Sequence, residues 1–199
     1  MNELANLVSE VQACTICAEH LPLGPRPVVI CRPSASLLIV GQAPGIRVHK
    51  TGIPWNDPSG DRLREWMGVS RDTFYEHPSI AIMPMGFCYP GKGKSGDLPP
   101  RKECAAQWHR PLLEWMPRIE LTLVIGQYAQ KHYLPREQKT NLTDRVKRWE
   151  EFLPEHFLLP HPSPRNNIWL RKNPWFEEET IPALQQRVGQ LIQPSGKSV

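Results

Sequence analysis

Short apolar runs, separated by polar stretches rich in proline and glycine, set the rhythm of this chain. Leu4, Leu7 and Val11 recur at helical spacing and predict an amphipathic helix over 2–13. Residues 18–35 are Pro-rich and read as a loop. Ser36–Val40 (SLLIV) is a continuous apolar run stopped by Gly41, the pattern of a strand buried on both faces of a parallel sheet. A long loop follows over 42–58, and then a helix with Ser59 as candidate N-cap and Gly68 as its stop. A second strand lies within Ile80–Phe87, before a Gly-, Lys- and Pro-rich loop over 89–100. A helix over 101–116 follows, with Pro111 placed to kink it. Leu121–Ile125 (LTLVI), again closed by a glycine, is the third strand, with a helix from Gln127. Phe157–Leu159 is the fourth. A loop over 161–166 leads to a helix near Ile168, the last helix covers 177–193, and 194–199 reads as a frayed tail.

Strands alternating with helices imply an α/β fold with a parallel sheet covered on both faces, in one domain over 1–193. Ligands of such sheets sit beyond the carboxyl ends of the strands. The loops at 42–58, 88–100 and 161–166 are therefore expected to converge on one edge and form the active site.

Composition narrows the class. Seven Trp, five Phe and four Tyr in 199 residues are too many for a disordered chain. No apolar run approaches the roughly 20 residues of a membrane helix. No basic region precedes an apolar stretch at the N-terminus, so the expectation is a cytoplasmic protein. Proline, at 22 residues, is about twice its usual share and stiffens the loops. The net charge is only +4, so binding to a polyanion must rest on local clusters such as Lys92, Lys94, Arg101 and Lys102.

Three groups of residues carry candidate chemistry. Cys14 and Cys17 form a C-x2-C pair, Cys88 and Cys104 a wider one, and Cys31 is left over. Without a secretion signal such a set reads as metal-binding before it reads as disulfides. Four thiolates suit a tetrahedral zinc or an iron–sulfur cluster, and the spacing does not choose between them. Five unligated thiols are the plain alternative. In the first loop, Gly41 and Gly45 permit close backbone approach, and Trp55, Asn56 and Asp57 follow. An aromatic ring can stack on a base and a carboxylate can polarise water. Read structurally, Trp55 is core and Asp57 caps the helix near Ser59. His161, directly after a strand and fixed by Pro162, is placed to donate a hydrogen bond into the same cleft. Ser163 and nearby amides can hold a phosphate, and Arg165 can reach a DNA backbone. A turn with a satisfied histidine is the plain alternative there.

The four-cysteine spacing, the first motif GQAPG at 41–45 and the second motif HPS at 161–163 together make the chain similar to the uracil-DNA glycosylase superfamily, especially its iron–sulfur families 4 and 5. The resemblance spans residue 14 to about 176. It implies a three-layer α/β/α fold with a four-stranded parallel sheet, a [4Fe-4S] cluster on Cys14, Cys17, Cys88 and Cys104 (a structural zinc being the alternative), and hydrolysis of the N-glycosidic bond of a flipped base. It also implies a monomer with DNA as partner and no membrane. Family 4 has Glu where this chain has Gln42, whereas residues 51–61 resemble the family 5 segment, whose catalytic Asp falls near Asp57. Trp55 stands in place of the family 4 Phe that stacks on uracil, and Met83-Pro84-Met85 occupies the region of its base-reading Asn. His49 lies in the first loop, where a covalently trapping relative carries a sugar-attacking histidine. The implied roles are leaving-group stabilisation by His161 and water orientation by Asp57. Gln42, Ala43, Trp55 and Asn166 bind the base, and Ser163, Arg165, Lys92 and Lys94 bind DNA. Uracil is the leading substrate, with hypoxanthine or a modified pyrimidine as alternatives. A non-catalytic binder of damaged or single-stranded DNA is the rival class, and a zinc-stabilised hydrolase of free nucleotides a third.

Overall fold

Four of the apolar runs pair side by side in the computed structural model, which describes residues 3–137 and 139–192. They are β1 (Leu37–Val40), β2 (Ile80–Ile82), β3 (Leu121–Ile125) and β4 (His156–Leu159). The sheet is parallel throughout, in the order β2-β1-β3-β4. Leu37 stands opposite Ile80 on one side and Leu121 on the other, and Thr122 opposite His156. Every residue of β1, β2 and β3 is buried. That explains their unbroken apolar pattern, because a sheet covered on both faces has no polar side to display.

The covering helices are α1 (Glu3–Gln12), α2 (Ile46–Thr51), α3 (Pro58–Met67), α4 (Arg71–Glu76), α5 (Lys102–Glu114), α6 (Gly126–Tyr133), α7 (Leu142–Lys147), α8 (Asn167–Lys172) and α9 (Ile181–Ile192). They complete the three-layer α/β/α fold, with α1 packed on α5 and α3 on α9. None of the described helices is long and apolar enough to cross a membrane.

The structure corrects several boundaries. The segment 42–58 is not all loop: α2 lies inside it, closed by Gly52 in the left-handed region at φ 72°. At six residues α2 makes fewer than two turns, too little to show an apolar stripe. The same brevity hides α4 and α7, capped by Ser70 and Asn141. Asp57, not Ser59, caps α3: its Oδ1 accepts the Gly60 N–H at 2.9 Å, with Pro58 at the first helical position. Pro111 lies inside α5, and the helix continues past it to Glu114. The last helical segment opens as a π-helical turn over Phe176–Thr180 before α9, where Pro182 has no N–H to offer the preceding turn. The tail read over 194–199 lies outside the described residues, as does residue 193.

One buried polar contact ties the core to the strand exits. His109 on α5 is 3% exposed, stacked on Phe87 at 5.7 Å, and its Nε2 donates to the Pro84 carbonyl at 3.0 Å, just beyond β2. Burial pushes its pKa down to about 4, against the pull of that hydrogen bond. The folded value lies below the unfolded one, so the unfolded chain takes up the proton first as pH falls. Stability present above about pH 6.5 is lost on the way to pH 4, to the extent of about 3 kcal/mol. Denaturant unfolding should show that slope in the wild type and a flatter one in His109→Gln. Equal slopes would rule out His109 as its source.

Candidate active site

All four strand exits open on one cavity of about 500 Å3. β1 delivers Gly41 and Gln42, the segment after β2 delivers Pro84, the head of α6 after β3 delivers Gln127 and Tyr128, and β4 leads to His161. This is the edge at which ligands of parallel sheets bind. The first turn of α6 has no side-chain cap, and its residues Gln127 and Tyr128 line the cavity.

Trp55 stands in the wall under backbone strain. Its φ of 56° is in the left-handed region, an uncommon place for an aromatic residue. The buried guanidinium of Arg64 holds it there: Nη1 donates to the Trp55 carbonyl at 3.2 Å, while Nη2 pairs with Asp61 Oδ1 at 2.6 Å. The indole then lies against Gly41, 5.8 Å from the His161 ring at a tilt of 34°. A Cβ on residue 41 would meet Trp55 Cζ2 at 2.7 Å, so glycine is what lets the ring lie back against the strand exit. Gly41→Ala should displace the indole and weaken the binding of a planar ligand in this cavity up to roughly tenfold, the worth of one aromatic stack. Unchanged binding would show that Trp55 does not contact the ligand.

Asp57 and His161 share the cavity. Asp57 uses Oδ1 as the α3 cap, and its Oδ2 faces Gly45, 3.9 Å from where a Cβ there would be. His161 is framed by Pro160 and Pro162, and the Asn166 Nδ2 donates to its carbonyl at 2.7 Å. Its ring nitrogens accept or donate no protein hydrogen bond among the described residues. Burial pushes its pKa below the ordinary imidazole value, and the Asp57 charge pulls it part of the way back. The imidazole so held toward its neutral form faces the same space as the Asp57 side chain.

The other expected site residues divide. Ala43 lies in the wall, and Gln42 does too, with Nε2 donating to the Leu98 carbonyl at 3.2 Å. Asn166 lines the cavity but directs its amide at the His161 backbone. The Ser163 hydroxyl accepts the Arg165 N–H at 3.3 Å and so caps the short 3-10 turn Pro164–Asn166. Arg165 borders the cavity while remaining exposed, Nη1 donating to the Ser95 carbonyl at 2.7 Å. Lys92 and Lys94 stand on the 91–98 segment outside the cavity wall. His49 belongs to α2, packs near Tyr89 at 6.1 Å, and does not line the cavity. Asp97, in contrast, does line it, and in sequence it was one polar residue among many in a Gly- and Lys-rich loop.

Cys14, Cys17, Cys88 and Cys104 line a second, smaller cavity, and Cys31 is outside that wall. The Phe87 N–H donates to Cys104 Sγ at 3.2 Å, and burial pushes the Cys88 thiol up to about 11 and that of Cys104 to about 12. Trp108 shares the wall, and its buried indole N–H has no protein partner. Among the described residues no three His, Cys, Asp or Glu side chains close around the position of a single ion. Thiolates on one tetrahedral zinc would stand about 3.8 Å apart, by the Zn–S length, whereas a cluster holds its ligands more widely.

The family model described as "Uracil DNA glycosylase superfamily" matches residues 28–185. The matched span takes in every residue of the larger cavity, with Cys88 and Cys104, and begins after Cys14 and Cys17.

Proposed function

The chain belongs to the uracil-DNA glycosylase superfamily, with DNA as its partner, and on that footing we propose that it hydrolyses the N-glycosidic bond of a flipped-out uracil, leaving an abasic site for base excision repair. The observation that carries the proposal is the sharing of one cavity by neutral His161 and Asp57, with Trp55 beside them. Cleavage builds negative charge on the departing base and positive charge on the deoxyribose. An imidazole N–H aimed at a base carbonyl stabilises the first in a site closed to water. The Asp57 carboxylate offsets the second and orients the attacking water. Trp55 stacks on the base, and the uncapped head of α6 favours the anion as it forms.

The test is base release from matched oligonucleotides carrying uracil, hypoxanthine or a modified pyrimidine, single- and double-stranded, read as alkali-labile abasic sites. Release of uracil is the expected result. Release of another base alone would keep the chemistry and move the substrate. Binding without release from any of them would replace the enzyme by a binder of damaged DNA.

We further propose that Cys14, Cys17, Cys88 and Cys104 hold a [4Fe-4S] cluster. Four thiols around one cavity, one of them accepting the Phe87 N–H, support a shared metal centre, and the resemblance of the four-cysteine spacing to the iron–sulfur families favours the cluster. When bound, the cluster supplies a structural cross-link. Its four ligands tie the segment after α1 to the exit of β2 and the head of α5. Cys104→Ser should abolish the visible absorbance and lower the melting temperature, and Cys31→Ser should change neither. A colourless wild type purified anaerobically with iron would overturn the assignment.

A further inference from the structure

The mechanism above gives the attacking water one carboxylate, but the cavity holds two. Asp97 closes a hairpin-like turn over 91–98 in which Lys92 and Asp97 pair as an antiparallel bridge. It lines the same wall as Asp57. The Oδ2 atoms of both residues approach a single point, the place a Cβ on Gly45 would take, at 3.5 Å from Asp97 and 3.9 Å from Asp57. Glycine at position 45 puts no side chain there, and two carboxylate oxygens lie within van der Waals range of that place.

The backbone that carries Asp97 is pinned on three sides. The Leu98 N–H donates to the Gly91 carbonyl at 2.8 Å, Gln42 Nε2 to the Leu98 carbonyl at 3.2 Å, and Arg165 Nη1 to the Ser95 carbonyl at 2.7 Å. The carboxylate itself makes no hydrogen bond and no ion pair among the described residues. A held backbone presenting an uncommitted acceptor is the arrangement of a group reserved for a ligand. Asp57, by comparison, already commits Oδ1 to the Gly60 N–H.

We propose that Asp97 is a second catalytic carboxylate, which takes the proton from the water that attacks the sugar while Asp57 remains charged beside it. The proposal rests on the glycosylase reading. In the step, the C1′–N bond breaks and its electron pair leaves on the base. The water oxygen forms the new bond to C1′, and one water proton passes to Asp97, which becomes a neutral acid. The base anion takes its proton from solvent. The groups that face Asp97 suit this division of labour. Partial burial raises its pKa above the ordinary carboxylate value and Asp57 adds to that, while Arg165, from the turn after β4, and Lys92, across the bridge, oppose it. The Tyr89 phenol stands nearby. A carboxylate with a raised pKa is a better proton acceptor than an ordinary one. Asp97 stands at the cavity mouth, exposed as a residue but with its carboxylate partly enclosed, so DNA seated there would complete the enclosure.

The test is single-turnover base release across pH, with substrate affinity measured in parallel, for the wild type, Asp97→Asn, Asp97→Glu and Arg165→Ala. Asp97→Asn should lower the rate roughly 10²-fold at nearly unchanged affinity and alter the acid limb of the profile, to which His161 and Asp57 still contribute. Asp97→Glu should restore part of the rate. Arg165→Ala removes the charge that holds the Asp97 pKa down, so its acid limb should move to higher pH. A normal rate in Asp97→Asn would overturn the proposal. So would a normal rate with weakened affinity or altered base preference, which would make Asp97 a reader of the base. An active wild type with an active Asp97→Asn refutes this step alone, whereas a wild type that releases no base refutes the glycosylase reading and this proposal with it.

Discussion

His161→Ala should lower the rate of base release roughly 10²–10³-fold, the usual cost of removing one donor aimed at a developing anion, and should leave the fold intact. The ring takes no hydrogen bond from the protein among the described residues. Asn166 and His161 meet through the His161 carbonyl, which alanine retains. Truncation therefore strands no buried partner, and the loss falls on the transition state. The pKa depression of His161 gives an independent check. Burial disfavours the imidazolium, so the ring stays neutral at pH 7 and takes up its proton only at lower pH than a free imidazole. Because the Asp57 charge works in the opposite sense, Asp57→Asn should move the His161 titration to still lower pH, observable by NMR of the imidazole ring. A His161 that titrates normally and is unaffected by Asp57→Asn would show that the two do not share an enclosed site.

Asp57→Asn is the second large expected effect, and it separates two roles that one side chain holds. Oδ1 caps α3 and Oδ2 faces the cavity. Asparagine is as good an N-cap as aspartate, so the Gly60 N–H keeps its partner and stability is preserved. The charge beside the sugar is gone, and the rate of base release should fall roughly 10²–10³-fold. Asp57→Ala should show the same loss of rate and, in addition, about 1 kcal/mol of lost stability from the missing cap. Full activity in Asp57→Asn would reduce the residue to its capping role and favour a protein that binds DNA without cleaving it.

The candidate site was partly legible because its pieces follow buried strands. SLLIV and LTLVI are apolar without alternation and end in glycine, and such runs pair in parallel sheets wherever helices cover both faces. Once β1 and β4 were recognised, Gln42 and His161 had to emerge at one edge. The short helices α2, α4 and α7 were not legible, because six residues give no periodicity to detect. Nor was the contact of Arg165 with the 91–98 segment, which no local pattern encodes. Its partner, the Ser95 carbonyl, is 70 residues away.

The parallel α/β sheet, the edge on which the large cavity opens, and the presence there of an aspartate after β1 and a histidine after β4 were all readable along the chain, since they depend on local apolar runs and on which residues immediately follow them. The direction in which each side chain faces was not. The strained Trp55 held by Arg64, the two duties of Asp57, and the approach of Asp97 to the same place beside Gly45 arise from contacts between segments that are separate in the chain. Backbone strain such as that at Trp55 costs free energy locally and persists because the packing around it is stable as a whole, and that balance is a property of the folded contacts rather than of any short stretch of residues.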